Sequence, residues 1–503
     1  MADYDVIVIG GGHNGLTAAA YLARAGKRTL LLEAGSAVGG SITSAPVGST
    51  TAPLAFASVD ALHPSVVQDL QLQSHGLALH DGSGTLVLGG DAPLWLPGSD
   101  PSSGVDADDR AGLAELQRLV RVAGEALEPI LGGALPTVEP ARFSDFFNLA
   151  MAGLRLRRVG KRDMPEIMRL LPMTLRDIVE EHVSDPRLQA AIAGRALHGT
   201  WLGPWSAGGG FALLHHNPPW RPDLLAPPRF VGGGPAALAA ALAAAATAAG
   251  ATVRTDAAVT SIRIDDGVVT GVTLASGEAI DASCVLSACD PTTTLMKLLQ
   301  PGWLAPESQR AAQNIRYRGT VATARYALTG LPELPVTEAH KGRIQIGASM
   351  TALERAYDPA KYHEIPDAPT VELTFHEGDG GLSAHAWVQH ISTGAAADAA
   401  GREATLTAIN ATIESALPGF AAQVQATELT TPVDFEQQLG LAGGHLYHGE
   451  LGMDQLLYMR PIPGMYDHST PIGGLYLGGP GTHPGGGVNG LPGKLSAARI
   501  LSA

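Results

Sequence analysis

Cysteine is nearly absent, with two residues in a chain of 503. That excludes a disulfide-held scaffold and fits a reducing compartment, so the expected location is cytoplasmic. Basic residues are also outnumbered: 33 Lys and Arg stand against 48 Asp and Glu, a formal net charge of -15. A chain that acidic lacks the basic face that phosphate backbones need, which argues against a nucleic-acid partner. No run reaches the roughly eighteen apolar residues that cross a bilayer. The nearest stretch, Ala236 to Ala249, is short and alanine-heavy and reads as a buried or half-buried helix. Met1-Ala2-Asp3 runs straight into an apolar strand pattern, without the basic region and apolar stretch of a secretory leader. The histidines are scattered, and no pair has metal-ligand spacing with a third ligand nearby, so no zinc or iron site is expected. A Gly-x-Ser-x-Gly nucleophile motif and internal repeats are missing too. What remains is 45% hydrophobic and 16% charged, the profile of a folded globular protein with length enough for two domains.

The first residues carry the strongest signal. Asp5-Val-Ile-Val-Ile9 is a β-branched run suited to a central parallel strand buried on both faces. It ends in Gly10-Gly-Gly-His-Asn-Gly15, which holds Gly-x-Gly-x-x-Gly at Gly10, Gly12 and Gly15, with His13 and Asn14 between the last two. A helical pattern follows, then Thr29-Leu-Leu-Leu32 as a second strand ending in Glu33. Each part has a physical task in a dinucleotide site. Gly10 permits the tight turn, Gly12 lets the backbone approach a pyrophosphate, and Gly15 lets the helix pack close to the sheet. The helix N-terminus offers free N–H groups and partial positive charge to phosphates. Glu33 accepts ribose hydroxyls and repels a 2′-phosphate.

Strand, glycines, helix, strand and acid stand in register, but they do not by themselves choose between NAD and FAD. Two further features choose FAD. Glu33 and Ala34 are followed by Gly39-Gly40-Ser41, a glycine pair resembling the extended motif of flavoproteins with two dinucleotide sites. Near the other end, Leu475-Tyr-Leu477 reads as a strand leading into Gly478-Gly479-Pro480-Gly481, and Thr482 to Gly490, with Gly487 and Val488, leads into a final helix. A second glycine-rich helix start of this kind seats the ribityl chain and the O2/N1 edge of a flavin, with the dipole stabilising the reduced anion. A second complete fingerprint for NAD(P)H is not visible.

IGGGHNGLTAAAYLARAGKRTLLLEAG at the start and LYLGGPGTHPGGGVNGLPGKLSAARIL at the end resemble the phytoene desaturase-like flavoproteins. Within them the chain is similar to the branch called phytoene dehydrogenase-related or pyridine nucleotide-disulfide oxidoreductase domain-containing protein 2. Interior stretches agree: Gly199-Thr-Trp-Leu-Gly-Pro204, Leu214-His215-His216, and Tyr447-His-Gly-Glu450 leading to Arg460-Pro461. The resemblance implies an α/β fold: a Rossmann-like FAD-binding domain of the p-hydroxybenzoate hydroxylase type, and a substrate domain of antiparallel sheet plus helices. It implies that the FAD domain is discontinuous, over 1–75, 228–300 and 440–503, and that 76–227 and 301–439 form the substrate domain. It also implies that backbone at Val259 meets the adenine, and that the substrate is a lipophilic small molecule. The segment after Gly40 departs from the family, with Ser41-Ile-Thr-Ser44 where a basic residue and then an acid are common.

Local patterns fill in the rest. Asp91 to Asp109 is rich in Gly, Pro, Ser and Asp and reads as a loop, and helical patterns dominate from Ala111 to Ala196. Ala257 to Ile264, a turn at Asp265-Asp-Gly267, and Val268 to Leu274 read as a β-meander. Strands are expected over 320–328, 343–348, 370–375 and 384–391. Cys284 and Cys289 have the spacing of a redox disulfide, but an odd separation on a strand puts them on opposite faces. The basic stretch Leu154 to Arg162, followed by apolar residues to Met173, is either a contact with an anionic membrane surface, a solvated helix face or an oligomer contact.

The chemistry expected is transfer of hydride from a substrate C–H, desaturating a CH–CH group, to flavin N5 held about 3–3.5 Å away. It requires orientation and a dry pocket more than a strong base. His216, His483 and Tyr458 are candidates for removing the second proton, and Arg460 for positioning a polar substrate group or the flavin. The alternatives are a flavin-dependent isomerase or saturase, an oxidase acting on amines or other substrates, and a flavin-binding scaffold without turnover. Homo-oligomer formation is a further expectation.

Overall fold

The computed structural model describes residues 3–136, 150, 153–154, 157–319, 321–378 and 380–503. Its centre is the strand Tyr4–Ile9, whose Val6, Ile7, Val8 and Ile9 are all buried. Parallel neighbours flank it on both sides, Ala279–Ser287 on one and Thr29–Leu32 on the other. Thr252–Arg254 extends the layer beyond Thr29–Leu32, and Leu475–Leu477 extends it beyond Ala279–Ser287. Three separated stretches of chain therefore build one parallel layer.

The period-2 alternation of a strand decides what covers each face. Val6, Val8, Leu31 and Leu286 pack with Leu16, Ala19, Leu238 and Ala497, which come from the helices His13–Arg24, Pro235–Ala248 and Leu491–Leu501. Ile7, Ile9, Leu30, Leu32 and Val285 point the other way and meet Ile262, Val272 and Leu274. Those belong to an antiparallel meander of Val259–Asp265, Val268–Leu274 and the first half of Ala279–Ser287. Its first turn is Asp266-Gly267, both at positive φ (48° and 76°), the backbone that a tight hairpin with right-handed twist requires. Cys284 packs at the edge of the helical face and Cys289 on the meander face, so they cannot pair. Burial pushes both thiols up to about 12, leaving them protonated.

The second sheet runs in the order Val424–Thr430, Val321–Leu328, Gly381–Gln389, Val371–Gly378, Arg343–Ile346, Gly84–Leu88, Leu94–Pro97. Every pairing is antiparallel except that of Arg343–Ile346 with Gly84–Leu88. The expected α/β fold with an antiparallel substrate sheet is the one observed. One local expectation fails: 91–109 is not a loop throughout. Leu94-Trp95-Leu96 supplies enough apolar surface to pair as an edge strand, and the helix Ala107–Leu131 begins inside the same stretch. That helix packs with Gly160–Leu170, Leu175–Glu180, Pro186–Leu197 and Gly209–His216 into a helical layer.

No helix among the described residues is long and apolar enough to cross a membrane. Of the basic stretch, Arg155 and Leu156 lie outside the described residues. Two nearby cations are engaged within the protein, Arg162 with Glu115 (3.4 Å) and Arg169 with Glu181 (2.8 Å).

Candidate active site

The glycine turn after Tyr4–Ile9 behaves differently at each of its three positions. Gly10 has φ +98°, a backbone state that side-chain-bearing residues avoid. At Gly15 an added Cβ would run into the carbonyl oxygen of Gly10. Gly12 has an ordinary φ of -69°, and a Cβ there would meet nothing within 4 Å. The space over Gly12 is open, and a side chain would fill it. It faces the start of the helix His13–Arg24, which has no side-chain cap. Uncapped N–H groups beside an open cradle fit a pyrophosphate.

The rest of the cradle is folded onto that turn. Gly39 donates its N–H to Gly11 O (2.8 Å), and a Cβ on Gly40 would lie 3.4 Å from Gly12 Cα. Ser41 is half-buried next to this pair. Glu33 accepts from Gly11 N (2.6 Å) and Gly35 N (2.8 Å), which fixes its carboxylate and leaves further lone pairs for a ribose. Ala34 beside it is exposed. Ala257 donates to Glu33 O (2.8 Å), which brings Val259 to the same end of the sheet as Glu33. At the other side, Gly478 donates to Ser287 O (2.8 Å), and Gly479 packs so closely on Ala288 that no side chain fits. His13, itself buried, is hydrogen-bonded to backbone at Gly487 and held neutral by burial at about 4. Asn14 lies beside His13, at 3.1 Å from its ring. Residues from both ends of the chain thus meet at one cradle whose shape and donors fit FAD.

Gly487 and Val488 also line a small cavity of about 60 Å³ that reaches toward the second sheet. Its aromatic wall is made by Phe56 and Tyr447, whose rings are parallel within 5° at 6.2 Å between centroids, and by His198, stacked on Trp387 at 4.0 Å. The helix Gly209–His216 contributes His215 and His216. His215 Nε2 bonds to Gly486 O (3.1 Å). His216 Nδ1 bonds to Ala212 O (3.0 Å), which requires the proton on Nδ1 and leaves the Nε2 lone pair toward Tyr447 Oη, 3.5 Å away. Tyr447 Oη donates to His198 O (3.1 Å). Burial is the main cause that lowers all three imidazoles, His198 and His215 to about 3 and His216 to about 4, so they are neutral at physiological pH. Charged groups line it as well: Asp60, Arg195 and Arg343.

Of the four candidates for chemistry, His216 lines this cavity and the other three do not. His483 Nε2 bonds to Gly133 O (3.0 Å). Tyr458 donates to Pro136 O (2.9 Å) and packs edge-on against Tyr466. Arg460 requires a correction. Its guanidinium donates to the carbonyls of Thr482 (3.3 Å), Glu450 (3.1 Å), Tyr447 (2.7 Å) and Pro480 (2.7 Å), and it is 2% exposed. Every nitrogen is engaged by main chain, so Arg460 holds the loops of the last segment together and has no donor left for a substrate. Phe56, His198, Arg195 and Arg343 escape a reading by motif, because separate elements bring them together. Tyr447 and His215 had a signal, since both lie in stretches that carry the family resemblance.

Comparison with known proteins agrees with this geometry. Residues 15–501 match the family described as flavin containing amine oxidoreductase. The chain is 28% identical to pyridine nucleotide-disulfide oxidoreductase domain-containing protein 2 of Rattus norvegicus, over 99% of this chain and 93% of that one. It is 29% identical to phytoene desaturase (neurosporene-forming) of Cereibacter sphaeroides, over 54% of this chain and 52% of that one. Among solved structures, cyclohexylamine oxidase from Brevibacterium oxydans superposes with a TM-score of 0.60 at 18% identity, covering 99% of both chains. The chain therefore belongs to the flavin containing amine oxidoreductase family and is an FAD-dependent oxidoreductase.

Proposed function

We propose that the protein desaturates a CH–CH group of a largely apolar small molecule bound in the cavity above Gly487 and Val488. The observation that carries this is the set of three neutral imidazoles beside an aromatic wall at the cofactor-facing floor. When bound, FAD would supply the acceptor for one hydride, which carries both electrons of the oxidation. The chain's own part is orientation, exclusion of water and custody of one proton. Phe56, Tyr447 and Val488 clamp the apolar body of the substrate. His216 Nε2, which carries the lone pair because Ala212 O fixes the tautomer, takes the proton from the neighbouring carbon in place of its long contact with Tyr447 Oη. Its low basicity suits a step in which hydride departure, not proton abstraction, does most of the work. The partial similarity to a phytoene desaturase supports the same reading.

Amine oxidation is the second reading, favoured by the parallel Phe56 and Tyr447 rings and by the family's name. Arg195 on the cavity wall opposes it, since a buried guanidinium repels an ammonium ion where water does not screen it.

The test is anaerobic mixing of the FAD-loaded protein with panels of alkanes, alkenes and amines while following flavin absorbance. Bleaching by members with a saturated CH–CH pair supports desaturation, and bleaching by amines alone replaces it with amine oxidation. No bleaching with any panel leaves a flavin-binding scaffold. Photoreduced protein mixed with aerated buffer then separates an oxidase, reoxidised in seconds, from a dehydrogenase that passes electrons to another carrier.

A further inference from the structure

Arg195 lies in the last turn of the helix Pro186–Leu197, 8% exposed, on the wall of the cavity above Gly487. Its Nη1 donates to Ala226 O (2.7 Å). Its Nε and Nη2, the two donors on one edge of the guanidinium, have no hydrogen-bond partner among the described residues. Leaving two buried donors of a cation unpaired is among the costlier arrangements in a protein interior.

No neighbouring carboxylate satisfies these two donors. Asp60 is engaged elsewhere, accepting from Arg229 N (2.6 Å) and from Arg343 Nη2 (2.6 Å). Glu372 stands 3.1 Å from Arg343 Nε, and burial pushes its carboxyl up, toward the neutral form. Arg221 adds a third guanidinium to the cluster and is paired with Asp81. Among the described residues of this group, Arg195 is the cation on the cavity wall that no carboxylate hydrogen-bonds, although Asp60 is near enough to favour its charge.

We infer that the substrate carries a carboxylate, and that Arg195 receives it side-on through Nε and Nη2. The two parallel donors match the two oxygens of a carboxylate, a pairing that fixes direction as well as position. A carboxylate seated there anchors one end of the molecule, while its apolar body lies against Phe56 and Tyr447 over Gly487 and Val488. Arg195 is then a specificity-determining residue, acting on binding and orientation. The inference rests on the cavity being the substrate site of the proposed oxidation, but not on which bond is oxidised.

The experiment is a binding titration of the FAD-loaded protein, read as a shift in the visible flavin spectrum, with benzoate and octanoate each set against its amide. The carboxylates are expected to perturb the spectrum and to bind roughly tenfold or more tightly than the amides. R195M is expected to abolish that preference while leaving amide binding unchanged, and R195K, which keeps the charge but not the fork, to retain part of it. Equal affinity for acid and amide in the unaltered protein, no spectral shift with either carboxylate, or a preference that survives in R195M would each overturn the inference. Because the readout is binding, the two proposals fail separately. Carboxylate binding without flavin reduction by any panel ends the redox reading alone, and bleaching by uncharged substrates without carboxylate preference ends this one alone.

Discussion

Gly12 and Gly15 stand three positions apart, yet a methyl group harms them for different reasons. At Gly15 it collides with Gly10 O, so Gly15→Ala is expected to destabilise the apoprotein itself by about 1–3 kcal/mol, read as a lower melting temperature without FAD. At Gly12 it meets open space at an ordinary φ. Gly12→Ala should therefore leave the apoprotein's melting temperature unchanged and sharply reduce flavin content after gel filtration. Arg460→Met makes the complementary case. It removes the donors on which several main-chain carbonyls rely, so stability should fall by several kcal/mol and FAD content with it. Were R460M to fold, load FAD and lose only turnover, its assignment as a scaffold residue would be wrong. The glycines and Glu33 were legible in the sequence because the dinucleotide turn is local: strand, loop and helix are contiguous, and each residue's task follows from backbone geometry. Arg195, Arg343 and Phe56 were not, because a cavity wall assembled from a helix, a strand and a loop has no spacing rule along the chain. Arg460 was misread for a related reason. A conspicuous arginine in a motif suggests a ligand, and only the fold reveals that carbonyls surround it.

At the scale of elements, the final helix Leu491–Leu501 is a second wall of the cofactor site. Gly493 lies so close to the first helix that a Cβ would collide with the carbonyl of Asn14. Lys494 reaches Asp69 (2.8 Å) and Ser65 Oγ (2.6 Å) on the helix Pro64–Asp69. Gly493→Leu is expected to push the two helices apart, separating Gly487 from His13. Flavin content and melting temperature should drop together, whereas Lys494→Met, which breaks an ion pair at the protein's edge, should cost no more than about 1 kcal/mol in thermal unfolding. Strong periodicity made the parallel strands, the meander and four strands of the second sheet readable. The edge strand Leu94–Pro97 was hidden by its surroundings: three apolar residues amid Gly, Asp and Pro look like loop until a partner strand is present to pair with.

Across the whole molecule, burial of neutral histidines sets the response to acid. His198, His215, His445, His448 and His483 are held at about 3, and His13 and His216 at about 4, mainly by burial. In the unfolded chain each would take a proton near 6.5, so the unfolded state binds more protons below that pH. Their contribution is present in full above pH 6.5 and is lost as pH falls toward the folded values, at up to about 1.4 kcal/mol per pH unit for each residue. Melting temperature should thus be flat from pH 7 to 8 and fall steeply from pH 6 to 4. A flat profile down to pH 4 would contradict the neutral assignment of His216 on which the proposed proton transfer depends.

The parallel layer around Tyr4–Ile9 also has a consequence for how the protein comes into being. The first strand leaves the ribosome early, but its partner Ala279–Ser287 follows only on the order of tens of seconds later, at ordinary rates of synthesis. Leu475–Leu477 and the helix that seals the cradle arrive later still. Throughout that interval a β-branched edge stands exposed with nothing native to pair with. FAD loading therefore has to wait until the helix Leu491–Leu501 has been made.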